Sequence, residues 1–128
     1  MTYYFSKFLN IPFQSAVTRV SEELKKEGFG ILNDIDVKET LRKKLNVNVK
    51  RYRILGACHP EYAYRALKIE NKIGTLLPCN VIVRENEEGR IEVAAVDPVA
   101  SMQAVNNAAL IDIAGEIQSK LKEVISRL

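Results

Sequence analysis

Tryptophan is absent from this 128-residue chain, histidine occurs once and cysteine twice. One histidine and two cysteines cannot complete a structural zinc site, which takes four such ligands, and Cys58 and Cys79 form no Cys-x-x-Cys pair. No Gly-x-Ser-x-Gly elbow or Walker sequence is present, and Gly28-Phe29-Gly30 lacks the third glycine and following helix of a dinucleotide fingerprint. A hydrolytic triad would rest on His59 alone. Long apolar runs are missing too. The longest charge-free stretch, residues 98–111, is interrupted by Ser101, Gln103, Asn106 and Asn107, short of the roughly 18 apolar residues of a membrane span. The first residues lack the basic start and apolar run of a secretion signal, so a reducing, cytoplasmic setting is expected for the two thiols. Strong charge of one sign is also lacking. Nineteen Lys and Arg against sixteen Asp and Glu leave +3, too weak a field for a dedicated nucleic-acid binder. The local cluster Lys43, Lys44, Lys50, Arg51 and Arg53 reads as a solvated face.

What is present is ordinary globular material. A 47% apolar and 27% charged composition at this length fits one domain over residues 1–128, burying roughly two-thirds of the surface its unfolded chain exposes.

Periodicity divides the chain into β-α-β-α-β-α-β-β-α. A strand is expected over 3–8, then a helix with Asn10 as N-cap and Pro12 in its first turn. Phe13, Val17, Val20 and Leu24 form its buried stripe, and Gly28 its left-handed end. A strand over 29–35 leads to Asp36 and Glu39, a start signal for a short helix over 37–45 that would bury Leu41 and Leu45. The third strand, 51–57, draws its apolar content from Tyr52, Ile54 and Leu55. Pro60 then opens a helix whose Ala63 and Ala66 suggest close packing on the sheet. Strands over 79–83 and 91–96, joined by Asn86-Glu87-Glu88-Gly89, read as a hairpin closed by Asp97-Pro98. Leu110, Ile113, Ile117, Leu121, Val124 and Leu128 stripe a long final helix, with Gly115 permitting close approach. The hairpin forces an antiparallel pair, so the fold class is α+β, with a largely antiparallel or mixed sheet backed by helices on one face.

Three groups of residues are candidates for chemistry. Cys58 and His59 precede a helix start, where the dipole can lower a thiol pKa; the alternative is a buried Cys with His59 as a polar cap. Cys79 and Asn80 open an apolar strand. If they lay beside Cys58 and His59 they would supply thiols and an imidazole, or a disulfide if the Cα atoms came within about 4.4–6.8 Å. Tyr62, Tyr64 and Arg65 follow Pro60. The tyrosines cannot both face the core, and Arg65 suits a carboxylate or phosphate. Asp34 and Asp36 share a strand face, although Asp36 is already explained as a cap.

The blocks Gly28-Phe29-Gly30-Ile31-Leu32, Tyr52-Arg53-Ile54-Leu55-Gly56-Ala57-Cys58-His59-Pro60, Ala63-Tyr64-Arg65-Ala66-Leu67 and Ile73-Gly74-Thr75-Leu76-Leu77-Pro78-Cys79-Asn80-Val81-Ile82-Val83 together resemble the uncharacterised family called domain of unknown function 302. The resemblance covers nearly the whole chain. It implies an antiparallel α+β fold of TATA-binding-protein-like architecture, prokaryotic members and a homodimer, without an agreed activity or cofactor. His59 stands where the family more often has Asn, which favours the capping role.

The sequence therefore points first to a small cytoplasmic binding module whose Cys58/His59 and Cys79/Asn80 blocks, with Tyr62 and Arg65, frame a small-ligand, sulfur-species or soft-metal site. The alternative is an interaction protein acting as a homodimer through Tyr3, Tyr4, Tyr62 and the last helix. A thiol-dependent enzyme ranks third. No membrane contact and no nucleic-acid partner are expected.

Overall fold

The computed structural model describes residues 2–128. Five strands, β1 (Tyr4–Leu9), β2 (Gly30–Asp36), β3 (Tyr52–Cys58), β4 (Cys79–Glu85) and β5 (Ile91–Val96), form one sheet in the order β1-β5-β4-β3-β2. Every pairing is antiparallel. The helices are α1 (Phe13–Lys26), α2 (Val37–Leu45), α3 (Pro60–Ile69), a short α4 (Pro98–Ser101) and α5 (Ala108–Ser126), with single 3-10 turns at Ile73–Leu76 and Gln103–Val105. Among the described residues no helix is long and apolar enough to cross a membrane.

The core follows from two matched periodicities. In α1 the expected stripe of Phe13, Val17, Val20 and Leu24 is buried, and in α5 Leu110, Ile113, Ile117, Leu121 and Val124 are buried. Apart from Leu110, these stripes meet one face of the sheet, where Leu55, Val81, Val83, Val93 and Ala95 alternate inward. Arg127 fastens the two helices, donating to Glu23 at 2.8 Å and to Glu27 at 3.0 Å. The hydrogen bonds from Lys26 and Arg127 hold the Glu23 carboxyl below its ordinary pKa.

Several local expectations need correction. Pro12, not Asn10, occupies the N-cap of α1, and no side chain caps that end. Gly28 does take the left-handed conformation, with φ +90°. Asp36 caps α2 by accepting from the Glu39 amide at 3.0 Å. That helix buries none of its residues, however, and Leu45 is 66% exposed, because α2 lies against the ends of β2 and β3 at the margin of the sheet. The alanines of α3 lie beside Ala57 and Cys79 of the sheet, and Ala66 also joins Ile73, Met102, Leu110 and Ala114 in a second small core against α5. A Cβ at Gly115 would meet nothing within 4 Å, so that glycine marks no close approach. Asp97 starts α4 by accepting from the Val99 amide. The basic cluster is dispersed: Arg53 pairs with Asp34, which lowers that carboxyl's pKa, and Arg51 stacks over Phe13.

Candidate functional site

Two regions stand out, one covered and one open. The covered region lies where β3 ends and β4 begins. Ala57 is registered opposite Cys79, and Cys58 follows as the last residue of β3, paired with Gly30 of β2. Leu77–Pro78 leads into β4, and α3 begins at Pro60. Between them is a narrow apolar cavity of about 20 Å³, lined by Phe29, Cys58, His59, Tyr62, Cys79 and Met102 with their small neighbours. That volume holds about one water molecule.

The electrostatics of this cavity keep its groups neutral. Burial, reinforced by any charge on Cys58, pushes the Cys79 thiol up to about 11, and burial also raises the Cys58 thiol. The start of α3 therefore does not yield a low-pKa thiolate. His59 is shifted down from 6.5, chiefly by burial and then by the positive charge of Lys120, against opposing influences from Glu61 and Glu27. Its ring packs between Phe29, at 5.4 Å and near-perpendicular, and Tyr62, at 4.4 Å. A Cβ on Gly28 would stand 2.6 Å from His59 Nε2, so glycine there serves both the backbone turn and the ring's approach. His59 occupies the N-cap position of α3, yet its side chain makes no capping hydrogen bond. The capping expectation is thus wrong: the imidazole packs inward, and its Nδ1 is buried without a partner.

Of the six candidate residues, Cys58, His59, Tyr62 and Cys79 come together. Asn80 does not line the cavity. It follows Cys79 by one residue in β4, is exposed, and faces the opposite side of the sheet. Arg65 stands apart over the outer side of Tyr62, 5.5 Å from its ring, and pairs with Glu116 at 3.5 Å. Among the described residues no three His, Cys, Asp or Glu side chains are grouped to hold a metal ion, and both cysteines are free.

The open region is the other face of the sheet. Its central row runs Ser6, Ala94, Ile82, Ile54, Ile35 across all five strands. On one side of that row lie Phe8, Glu92, Arg84 and Tyr52, and on the other Tyr4, Val96, Asn80 and Gly56. Helices α1 and α5 pack on the inner face and α2 lies against the margin at β2 and β3, leaving Tyr4 40%, Phe8 39% and Ile35 44% exposed. Tyr3, Tyr4 and Tyr52 flank an open trough of about 510 Å³ floored by Ile82, Ala94 and Val96, with Asn80 in its wall. Arg84 donates to Glu92 across the β4–β5 pair at 2.8 Å. Sequence reasoning named Asn80, Tyr3 and Tyr4 without joining them. The signal was the strict alternation in β4 and β5, which sends Asn80, Ile82, Arg84 and Glu92, Ala94, Val96 outward.

Fold and site together define a small α+β protein with one sheet face covered by α1 and α5 and the other largely open. The chain belongs to the family Domain of unknown function DUF302, whose model matches residues 5–128. It is similar to the crystal structure of an uncharacterized conserved protein DUF302 from Bacillus stearothermophilus, at 28% identity and a TM-score of 0.92, over 99% of this chain and 98% of that one. No curated protein matches.

Proposed function

We propose that this chain is a non-catalytic binding module that works through the open face of its sheet, with a second copy of the chain as the occupant that suits the face best. The observation that supports this most is the row Ser6-Ala94-Ile82-Ile54-Ile35, flanked by aromatic residues, with one internally paired Arg–Glu couple and one rim cation, Arg90, stacked over Phe8. An apolar sheet surface of this extent is the usual mark of an interaction site. A cytoplasmic setting, in which both thiols stay reduced, fits the same reading.

Native mass spectrometry of the protein from its own source, beside an Ile82→Arg variant, tests the reading. A non-covalently bound mass, whether a second chain or a small molecule, should be present in the wild type and lost in the variant. A mass that survives Ile82→Arg but disappears in Cys58→Ser/Cys79→Ser would move binding to the thiol cavity.

A second reading keeps the ligand beside the thiols. It is favoured by the unpartnered His59 Nδ1 in the same region as Cys58 and Cys79. The cavity volume limits the guest to something the size of one water molecule, such as a single sulfur atom or a soft ion bridging two thiols. Cys58→Ser and Cys79→Ser should each abolish uptake of Cu(I), and unchanged uptake would end this reading.

A further inference from the structure

We infer that the open face packs on the same face of a second copy of this chain, about a two-fold axis lying along the row Ser6-Ala94-Ile82-Ile54-Ile35. This rests on the proposed docking role of the face and adds the symmetry and register of the contact.

The first argument is complementarity. A two-fold axis along that row lays each strand over its own copy in the opposite direction and exchanges the two flanking rows. Ile82 then meets Ile82 near the axis. Arg84 faces the partner copy's Asn80, which has an amide oxygen to accept from it, and Phe8 faces Tyr4. No like charges meet, because the only charged pair among these rows, Arg84 and Glu92, is displaced to one side of the axis. A two-fold axis running instead along β4 would place Arg84 against Arg84.

The second argument is charge. The outward strand positions sum to zero, whereas the whole chain carries +3. Phosphate-rich partners gain their affinity from several unpaired cations, whereas here Arg84 is already engaged by Glu92 and only Arg90, stacked over Phe8 at the rim, adds a positive charge. A mostly apolar face with so little net charge suits a second face like it.

The third is area. Five strands about 4.8 Å apart and about six residues long make a plane of roughly 480 Å² per copy before side-chain relief. Two such faces bury on the order of 1,000 Å² or more, the scale of a specific interface. Packed sheets sit about 10 Å apart, a gap the isoleucines and rim aromatics can fill from both sides.

Sedimentation equilibrium of the full chain over about 1–100 µM, a range that brackets weak specific association, tests the geometry. The wild type should have twice the 14.5 kDa chain mass. Ile82→Arg, which sets two cations together on the axis, and Asn80→Arg, which opposes Arg84, should both sediment as monomers with wild-type circular dichroism. Asn80→Asp, opposing Arg84 with a carboxylate, should dimerise several-fold more tightly. A dimer indifferent to all three changes overturns the assignment. So does a wild-type monomer. If that monomer still retains a co-purified mass that Ile82→Arg releases, the docking face survives and only the second copy falls; if it retains none, both fall.

Discussion

At the first residue of β4, Cys79 is sealed among Ala57, Phe29 and Ile117, with room for about one water beside it. One residue later Asn80 stands on the face opposite α1 and α5, in the wall of a trough of about 510 Å³. The only cysteines and the only histidine lie in the first place, so composition draws attention there. Physical access favours the second. Groups in the covered region are neutral and tightly packed, as core groups are, whereas the open face combines apolar floor, aromatic rim and one internal ion pair.

The largest expected difference between the two faces comes from adjacent residues of β3. Leu55 is 1% exposed and Ile54 points to the open face. Leu55→Ala should cost about 2–5 kcal/mol in urea unfolding. Ile54→Ala should cost under about 1 kcal/mol when measured below the dimerisation range. Equal losses would mean that both faces are core. Next, Cys79→Ser places a hydroxyl in an apolar wall without a partner and should cost about 1–3 kcal/mol, while Asn80→Ser stays within about 0.5 kcal/mol.

A smaller effect should appear with pH. The fold lowers the pKa of His59, so between the folded value and 6.5 the unfolded chain binds the extra proton and the folded chain does not. Stability from this source is full above 6.5 and declines as pH falls below it. Glu27, Glu61 and Lys120 act on the ring, and the carboxyls whose pKa values are lowered, Glu23, Glu39 and Asp34, lose their contributions only further down, below about 4.5 for the two glutamates and 3.8 for Asp34. His59→Asn should flatten unfolding free energy between about pH 7.5 and 5.5; an unchanged slope would assign the dependence elsewhere. Smallest of all is the thiol response. Both cysteines should react with iodoacetamide near neutral pH more slowly than free cysteine, and rapid modification of Cys58 would instead revive a reactive thiolate.

Much of the fold was legible because long stripes are redundant. The α1 and α5 repeats each present four or more coincident apolar positions, and the hairpin had both its strands and its turn residues. The α2 helix was legible as a helix but not as an exposed one, since Leu41 and Leu45 look alike whether they meet a core or a margin. For the site, adjacency in sequence misled twice. Asn80 follows Cys79, yet a strand sends neighbours to opposite faces, and His59 sits at a cap position whose side chain turns inward to Phe29 and Tyr62. The open face was spread over all five strands, with one to three residues from each, so no local motif could announce it. Only the strand order assembles it.

The claim that the open face is the working surface can be met most directly by hydroxyl-radical labelling of tyrosines across a concentration series. Tyr4 and Tyr52 lie on the face, and Tyr64, 62% exposed on α3, is the internal reference. Labelling of Tyr4 and Tyr52 should fall relative to Tyr64 as concentration rises, and Ile82→Arg should remove the fall. Constant ratios in the wild type up to about 100 µM, where even a weak specific contact would be populated, would contradict self-association through this face.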